Sequence, residues 1–112
     1  MVARPERETR WSAIIVGLAY LGELHRPGAT LGRALVAAGF SELRFSRLLR
    51  ADGERLLDEL PMLARFLAAK DTPADWVQAA WLILSADQIG EEKARRNLAR
   101  DYYSALVRQT NT

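Results

Sequence analysis

A chain of 112 residues, 49% hydrophobic and 27% charged, can bury one modest core without covalent staples. It has no cysteine, which excludes disulfides, thiolate metal sites and cysteine nucleophiles. The net charge of +2 hides an asymmetry: residues 1–50 hold eight arginines against four acids, residues 51–112 eight bases against ten acids. Fourteen of the sixteen bases are arginine, the side chain whose planar fork suits phosphate.

The first helix is expected from about Thr9 to Glu23, closed by "HRPGA". Its apolar run, Ala13 to Leu21, is too short to cross a bilayer, and Glu6 and Glu8 do not suit the positive segment of a signal peptide. A buried helix in a cytoplasmic protein, with no membrane partner, is the expectation. Thr30 is placed to cap a second helix through Ala38, stopped by Gly39, and Ser41 opens a third to about Arg50. After "ADGE" a helix of roughly 54–70 should be kinked or divided by Pro61, which lacks the donor its position needs.

"DTPADW" carries the clearest start signal. Thr72 reads as cap, Pro73 as first helical residue and Asp75 as the acid of a capping box. The helix that follows, to about Ser85, is apolar nearly all round and should be surrounded by the others. Trp11, Trp76 and Trp81 are expected in the core. A last helix begins at Glu91 and Glu92, which suit its positive end, and runs to about Arg108. No segment alternates with period two, so the fold class is all-α: a compact bundle of five or six helices, one helical domain over 1–112.

On a helical wheel Phe45, Leu48 and Leu49 share one face, with Arg44, Arg47 and Arg50 opposite them. Only Glu42 lies close enough in sequence to answer these arginines. Arg33 adds a further base just upstream. The last helix repeats the pattern: Leu98, Ala99, Tyr102, Ala105 and Leu106 on one side, Lys93, Arg96, Arg100 and Arg108 on the other, Tyr103 beside the bases. Arginines flanked by an aromatic suit a single-stranded backbone with accessible bases. The same pattern also serves a plain solvated surface with Tyr103 finishing the edge of the core, and both readings stand at this level.

Catalysis finds no support. His25 is the only histidine and has no partner placed by sequence, and metal sites need several ligands. Glu54 and Asp58 share a helical face but read as a solvated acidic pair. There is no phosphate-cradling glycine loop and no serine elbow. No enzyme, cofactor or metal is expected.

Through "LGRAL" at 31–35, "LLRAD" at 48–52, the Trp76 helix and "LARDYY" at 98–103, in that order, the chain resembles the small subunit of the type I-E CRISPR surveillance complex Cascade, the CasB family. The likeness covers roughly residues 9–110. Family members usually carry several further N-terminal helices, and this chain begins where those would end, so it is expected to correspond to the family's C-terminal part. The resemblance implies an all-α, non-catalytic protein of antiviral defence, present in two copies within the complex. Its implied partners are the other Cascade subunits, the guide RNA and the target DNA, above all the displaced strand of the R-loop. Arg33, Arg44 and Arg50 match basic positions of the family pattern, as do Lys93, Arg95 and Arg96 opening the last helix. Arg65 matches beside a register that Pro61 disturbs. With Arg47, Arg100 and Tyr103 from the wheel, these residues form the expected nucleic-acid-binding set. The alternative is a helical protein–protein interaction module whose basic faces touch no nucleic acid.

Overall fold

The computed structural model describes residues 7–84 and 88–110. Among them are six α-helices: α1 (Arg7–Leu21), α2 (Leu31–Ala37), α3 (Glu42–Arg50), α4 (Gly53–Ala69), α5 (Trp76–Leu84) and α6 (Gln88–Thr110), with a 3₁₀ turn at Gly22–Leu24. The Cα radius of gyration is 13.3 Å, that of a compact chain of this length, about 13 Å. An all-α bundle is therefore what the chain forms. α1 lies along α4, α2 lies along α6, and α5 bridges the two pairs through contacts with both α1 and α6.

At two crossings, α1 on α5 and α2 on α6, glycine removes a side chain where the elements need to meet. On α1, Ala13, Ile14, Gly17 and Leu21 form the buried stripe, and the Trp76 ring of α5 occupies the space beside Gly17. Trp76 is 2% exposed, and its indole N–H donates to the Ile14 carbonyl at 3.0 Å. On α2, Gly32 lies against the backbone of α6 at Leu98 and Tyr102.

Helix ends follow local chemistry at several points. α2 stops in a Schellman arrangement: Gly39 adopts φ +86°, its N–H reaches the Val36 carbonyl at 3.0 Å, and Phe40 N–H reaches Leu35 at 2.9 Å. Ser41 then caps α3, its hydroxyl accepting from Arg44 N–H at 3.2 Å. α4 ends the same way as α2, with Asp71 N–H on Ala68 at 3.0 Å and Thr72 N–H on Leu67 at 2.9 Å. Asp71 takes the left-handed position at φ +52°.

Four local expectations are corrected. Of the two outcomes expected at Pro61, division does not occur: α4 runs from Gly53 to Ala69 with Pro61 inside it. Only the bond to the Leu57 carbonyl is forfeited, and Leu56, Leu57, Leu60, Leu63, Ala64 and Leu67 bury a continuous stripe across the site. Thr30 makes no side-chain cap bond; Gln78 of α5 supplies the acceptor instead, taking Leu31 N–H at 2.6 Å. Nor does Thr72 start α5, which begins at Trp76.

Residues before Trp76 are drawn into an extended pairing with the 25–30 loop: a parallel bridge joins His25 to Ala74, and Asp75 N–H reaches Ala29 at 2.7 Å. Asp75 does the capping, accepting from Val77 N–H at 3.1 Å and from Gly28 N–H at 3.2 Å. His25 Nδ1 accepts from Trp76 N–H at 3.1 Å, so the lone histidine staples two loops. Finally, α5 is not surrounded. Trp81 is 59% and Trp11 43% exposed, and of the three tryptophans only Trp76 is core. The end expected for α5 at Ser85 lies outside the described residues.

Candidate nucleic-acid interface

α3 is anchored by one face and presents the other. Phe45 and Leu48 are buried while Arg44, Arg47 and Arg50 are exposed. The anchor is Tyr102 of α6. Its ring stacks on Phe45 at 3.8 Å and 6°, and its hydroxyl donates to the Phe40 carbonyl at 2.7 Å. Burial, then the Glu42 carboxylate, then the neighbouring Tyr103 push the Tyr102 phenol above its ordinary value of 10.0.

That shift fixes a sign. Below pH 10 both folded and unfolded chains keep this proton, and the contribution to stability is whole. Above it the unfolded phenol ionises first, so stability drains as pH rises through the native value. A Tyr102→Phe variant should lose about 1–2 kcal/mol at neutral pH, because the Phe40 carbonyl is left buried without its donor. It should also show a flatter decline between pH 9 and pH 11. Urea midpoints across that range check both, and equal slopes for the two proteins would refute the linkage.

Each basic side chain of the expected set has a definite place. Arg44 lies over two rings, its guanidinium carbon 4.6 Å from the Phe40 centroid and 5.1 Å from that of Phe66 on α4. Arg47 and Arg50 are exposed beyond it. Arg95 is half-buried, and one N–H donates to the Leu49 carbonyl at 2.6 Å, so it ties α6 to the negative end of α3. Tyr103 is 39% exposed and meets Phe45 edge-on at 5.7 Å, which puts its free side at the α3–α6 seam. Arg96 and Arg100 are exposed about two turns and one turn earlier on α6, respectively. Arg100 has a long contact with Asp101, 3.8 Å, at 71% side-chain exposure, a geometry worth little in water.

Three members sit elsewhere. Arg33 is exposed on α2 next to the Gly32 crossing. Arg65 stands over the Tyr20 ring of α1 at 5.5 Å, on the α1–α4 seam. Lys93 lines a cleft of about 560 Å³ between α5 and α6 with Asp75, Gln78, Trp81, Asn97 and Asp101. The structure thus joins Arg44, Arg47, Arg50, Arg95 and Tyr103 around α3, and gives Arg65 and Lys93 separate neighbours.

Sequence reasoning passed over Lys70, whose Nζ lies 6.0 Å from the Phe66 centroid. The Phe66–Lys70 spacing of one helical turn was the available signal. It also passed over Arg10, which donates to the Ile83 carbonyl at 2.9 Å and closes α5 against α1.

Among the described residues no group of three His, Asp or Glu side chains is placed to hold a metal ion, and no helix is long and apolar enough to cross a membrane. No curated protein and no solved structure matches the chain. The family model of CRISPR-associated protein Cse2 matches residues 2–103. That span holds every basic residue placed above, all of the α2–α3 segment and α6 as far as Tyr103. With six helices in the order the motifs require and the "LGRAL", "LLRAD" and "LARDYY" strings all inside the match, the chain belongs to the Cse2 family, the small subunits of the type I-E CRISPR Cascade complex.

Proposed function

We propose that within Cascade this subunit holds nucleic acid, the guide RNA–target DNA assembly and chiefly the displaced strand, on the face made by α3 and the neighbouring stripe of α6. The observation that supports this best is the state of α3. Arg44, Arg47 and Arg50 are exposed on the side opposite Phe45 and Leu48, and among the described residues no carboxylate lies within 4.0 Å of them. The mechanism is electrostatic and independent of sequence. Base pairing with the guide reads the target, while the protein holds backbones. Arg33 extends the basic surface on α2, Arg96 and Arg100 extend it on α6, and Tyr103 offers a stacking edge.

Neutralising about four phosphates of a single strand gives a log–log salt slope near −3. Cascade assembled with Arg44→Glu/Arg50→Glu subunits should retain displaced-strand DNA more weakly and with a shallower slope, while the isolated subunit keeps its helical circular dichroism and urea midpoint. A folded double variant that holds DNA at wild-type strength across the salt series would remove the basis for this reading.

The rival reading, a protein–protein interaction module with no nucleic-acid contact, has the same basic faces dock on acidic protein surfaces, and exposed apolar side chains elsewhere would add to the contact. Trp11, Ile15 and Val16 of α1 and Trp81 of α5 are large, apolar and exposed. Crosslinking of the assembled complex separates the two: adducts at α3 should contain nucleotides under the first reading and protein alone under the second.

A further inference from the structure

Phe66 is a place where cations from two different elements converge. Arg44 comes from the first turn of α3, 5.1 Å from the ring centroid, and Lys70 from the end of α4, with its Nζ 6.0 Å away. Phe40 meets Phe66 edge to face at 5.3 Å and 69°, so the two rings form one apolar ledge, with Arg44 over both rings and Lys70 at Phe66.

Both backbones beneath these heads are pinned. Arg44 N–H is held by the Ser41 hydroxyl. Lys70 N–H is held by the Phe66 carbonyl at 3.1 Å, and its own carbonyl accepts the Thr72 hydroxyl at 3.1 Å. Ring contact holds each head in place without neutralising it.

No acid does so either. Among the described residues neither Arg44 nor Lys70 has a carboxylate within 4.0 Å. Glu42, the acid on α3, is exposed and makes no ion pair with either head within 4.0 Å. Asp71, the neighbour of Lys70, is exposed and is held in the left-handed turn. Two positive heads on one ring, neither with a carboxylate within 4.0 Å among the described residues, fit a ligand that supplies the missing charge.

We infer that Arg44 and Lys70 form a two-cation clamp on a backbone phosphate of a single nucleic-acid strand, with Phe40 and Phe66 as the ledge that positions both heads. The clamp rests on the nucleic-acid reading of α3 and extends that surface from α3 onto the end of α4. A guanidinium packed over a ring can still turn N–H edges toward phosphate oxygens for two parallel bonds, while the ammonium acts as a point charge. A phosphodiester strand fits better than an isolated carboxylate because it repeats its charge, and Arg47 and Arg50 follow along the same helix.

The test uses assembled Cascade carrying Lys70→Gln, Lys70→Arg, Arg44→Gln or, as a distant control, Arg26→Gln from the loop after the 3₁₀ turn. Retention of target DNA is measured across a salt series, and each subunit's urea midpoint confirms folding. Lys70→Gln should make the log–log slope shallower by about 0.7, the value of one single-strand phosphate. Lys70→Arg should keep the wild-type slope, and Arg26→Gln should leave it unchanged. If Arg44→Gln shifts the slope and Lys70→Gln does not, the clamp is wrong and the α3 reading survives. If neither shifts it, both fall. An Arg26→Gln effect as large as that of Lys70→Gln would mean that general charge is being read, and would also overturn the clamp.

Discussion

Gly32→Ala is expected to lower stability by about 3 kcal/mol, at the upper end of what overpacking by one methyl produces. A Cβ at this position would stand 2.5 Å from the Tyr102 backbone nitrogen and 2.8 Å from both the Leu98 carbonyl oxygen and the Asp101 Cβ. Two of those three atoms are main chain, so no rotamer change relieves the contact. α2 has seven residues, with Gln78 holding one end and the Gly39 turn the other. It cannot tilt away from α6 without loosening both. Against a typical total of about 5–15 kcal/mol, such a loss is visible as a large fall in the urea midpoint followed by circular dichroism. A midpoint within about 0.5 kcal/mol of wild type, the range of an ordinary surface change, would mean that the two helices do not approach this closely.

The second large effect centres on Trp76. Trp76→Ala removes the bulkiest buried side chain and the indole bond to Ile14, and should cost about 3–5 kcal/mol. Gly17 supplies the sharper test. A Cβ there would lie 2.2 Å from Trp76 Cζ2, so Gly17→Ala is destabilising in the wild-type protein. In the Trp76→Ala background the obstacle is gone, and alanine should stabilise α1 over glycine by up to about 1 kcal/mol. The substitution thus reverses sign between backgrounds. A double-mutant cycle with no coupling would contradict the packing of this ring on α1.

Much of the fold was legible because helices announce themselves locally. Gly, Pro and capping residues delimited the helical stretches, Gly39 and Ser41 marked the α2–α3 turn, and the separation of Phe45 and Leu48 from the arginines of α3 needed only a wheel. What failed were features settled by distant partners. Thr72 and Asp75 are equally good caps in isolation. Pairing of His25 with Ala74 keeps the chain extended until Trp76 and so selects Asp75. Thr30 lost its role to Gln78, an acceptor arriving from another helix. Trp81 and Trp11 looked like core because hydropathy does not say which side of a helix finds a neighbour.

The candidate site shows the same division. Which arginines share a face was readable from periodicity. That Arg95 spends an N–H on Leu49, that Lys93 belongs to the α5–α6 cleft, and that Lys70 joins Arg44 at Phe66 depend on how helices cross. The family resemblance supplied order and context, but it could not tell a base free to meet a ligand from one occupied in holding the fold.

Tyr102 has one more consequence. Its ring fixes α3, its hydroxyl fixes the approach to α3, and its own backbone borders Gly32 of α2. α2, α3 and α6, which all carry arginines, therefore share a single reference point, and the distances between their attachment points are fixed by the fold itself. The long side chains remain free to swing, but the platform beneath them behaves as a ruler. Under the proposed nucleic-acid reading, such a surface would tolerate any base sequence while remaining particular about the pitch of the strand laid across it.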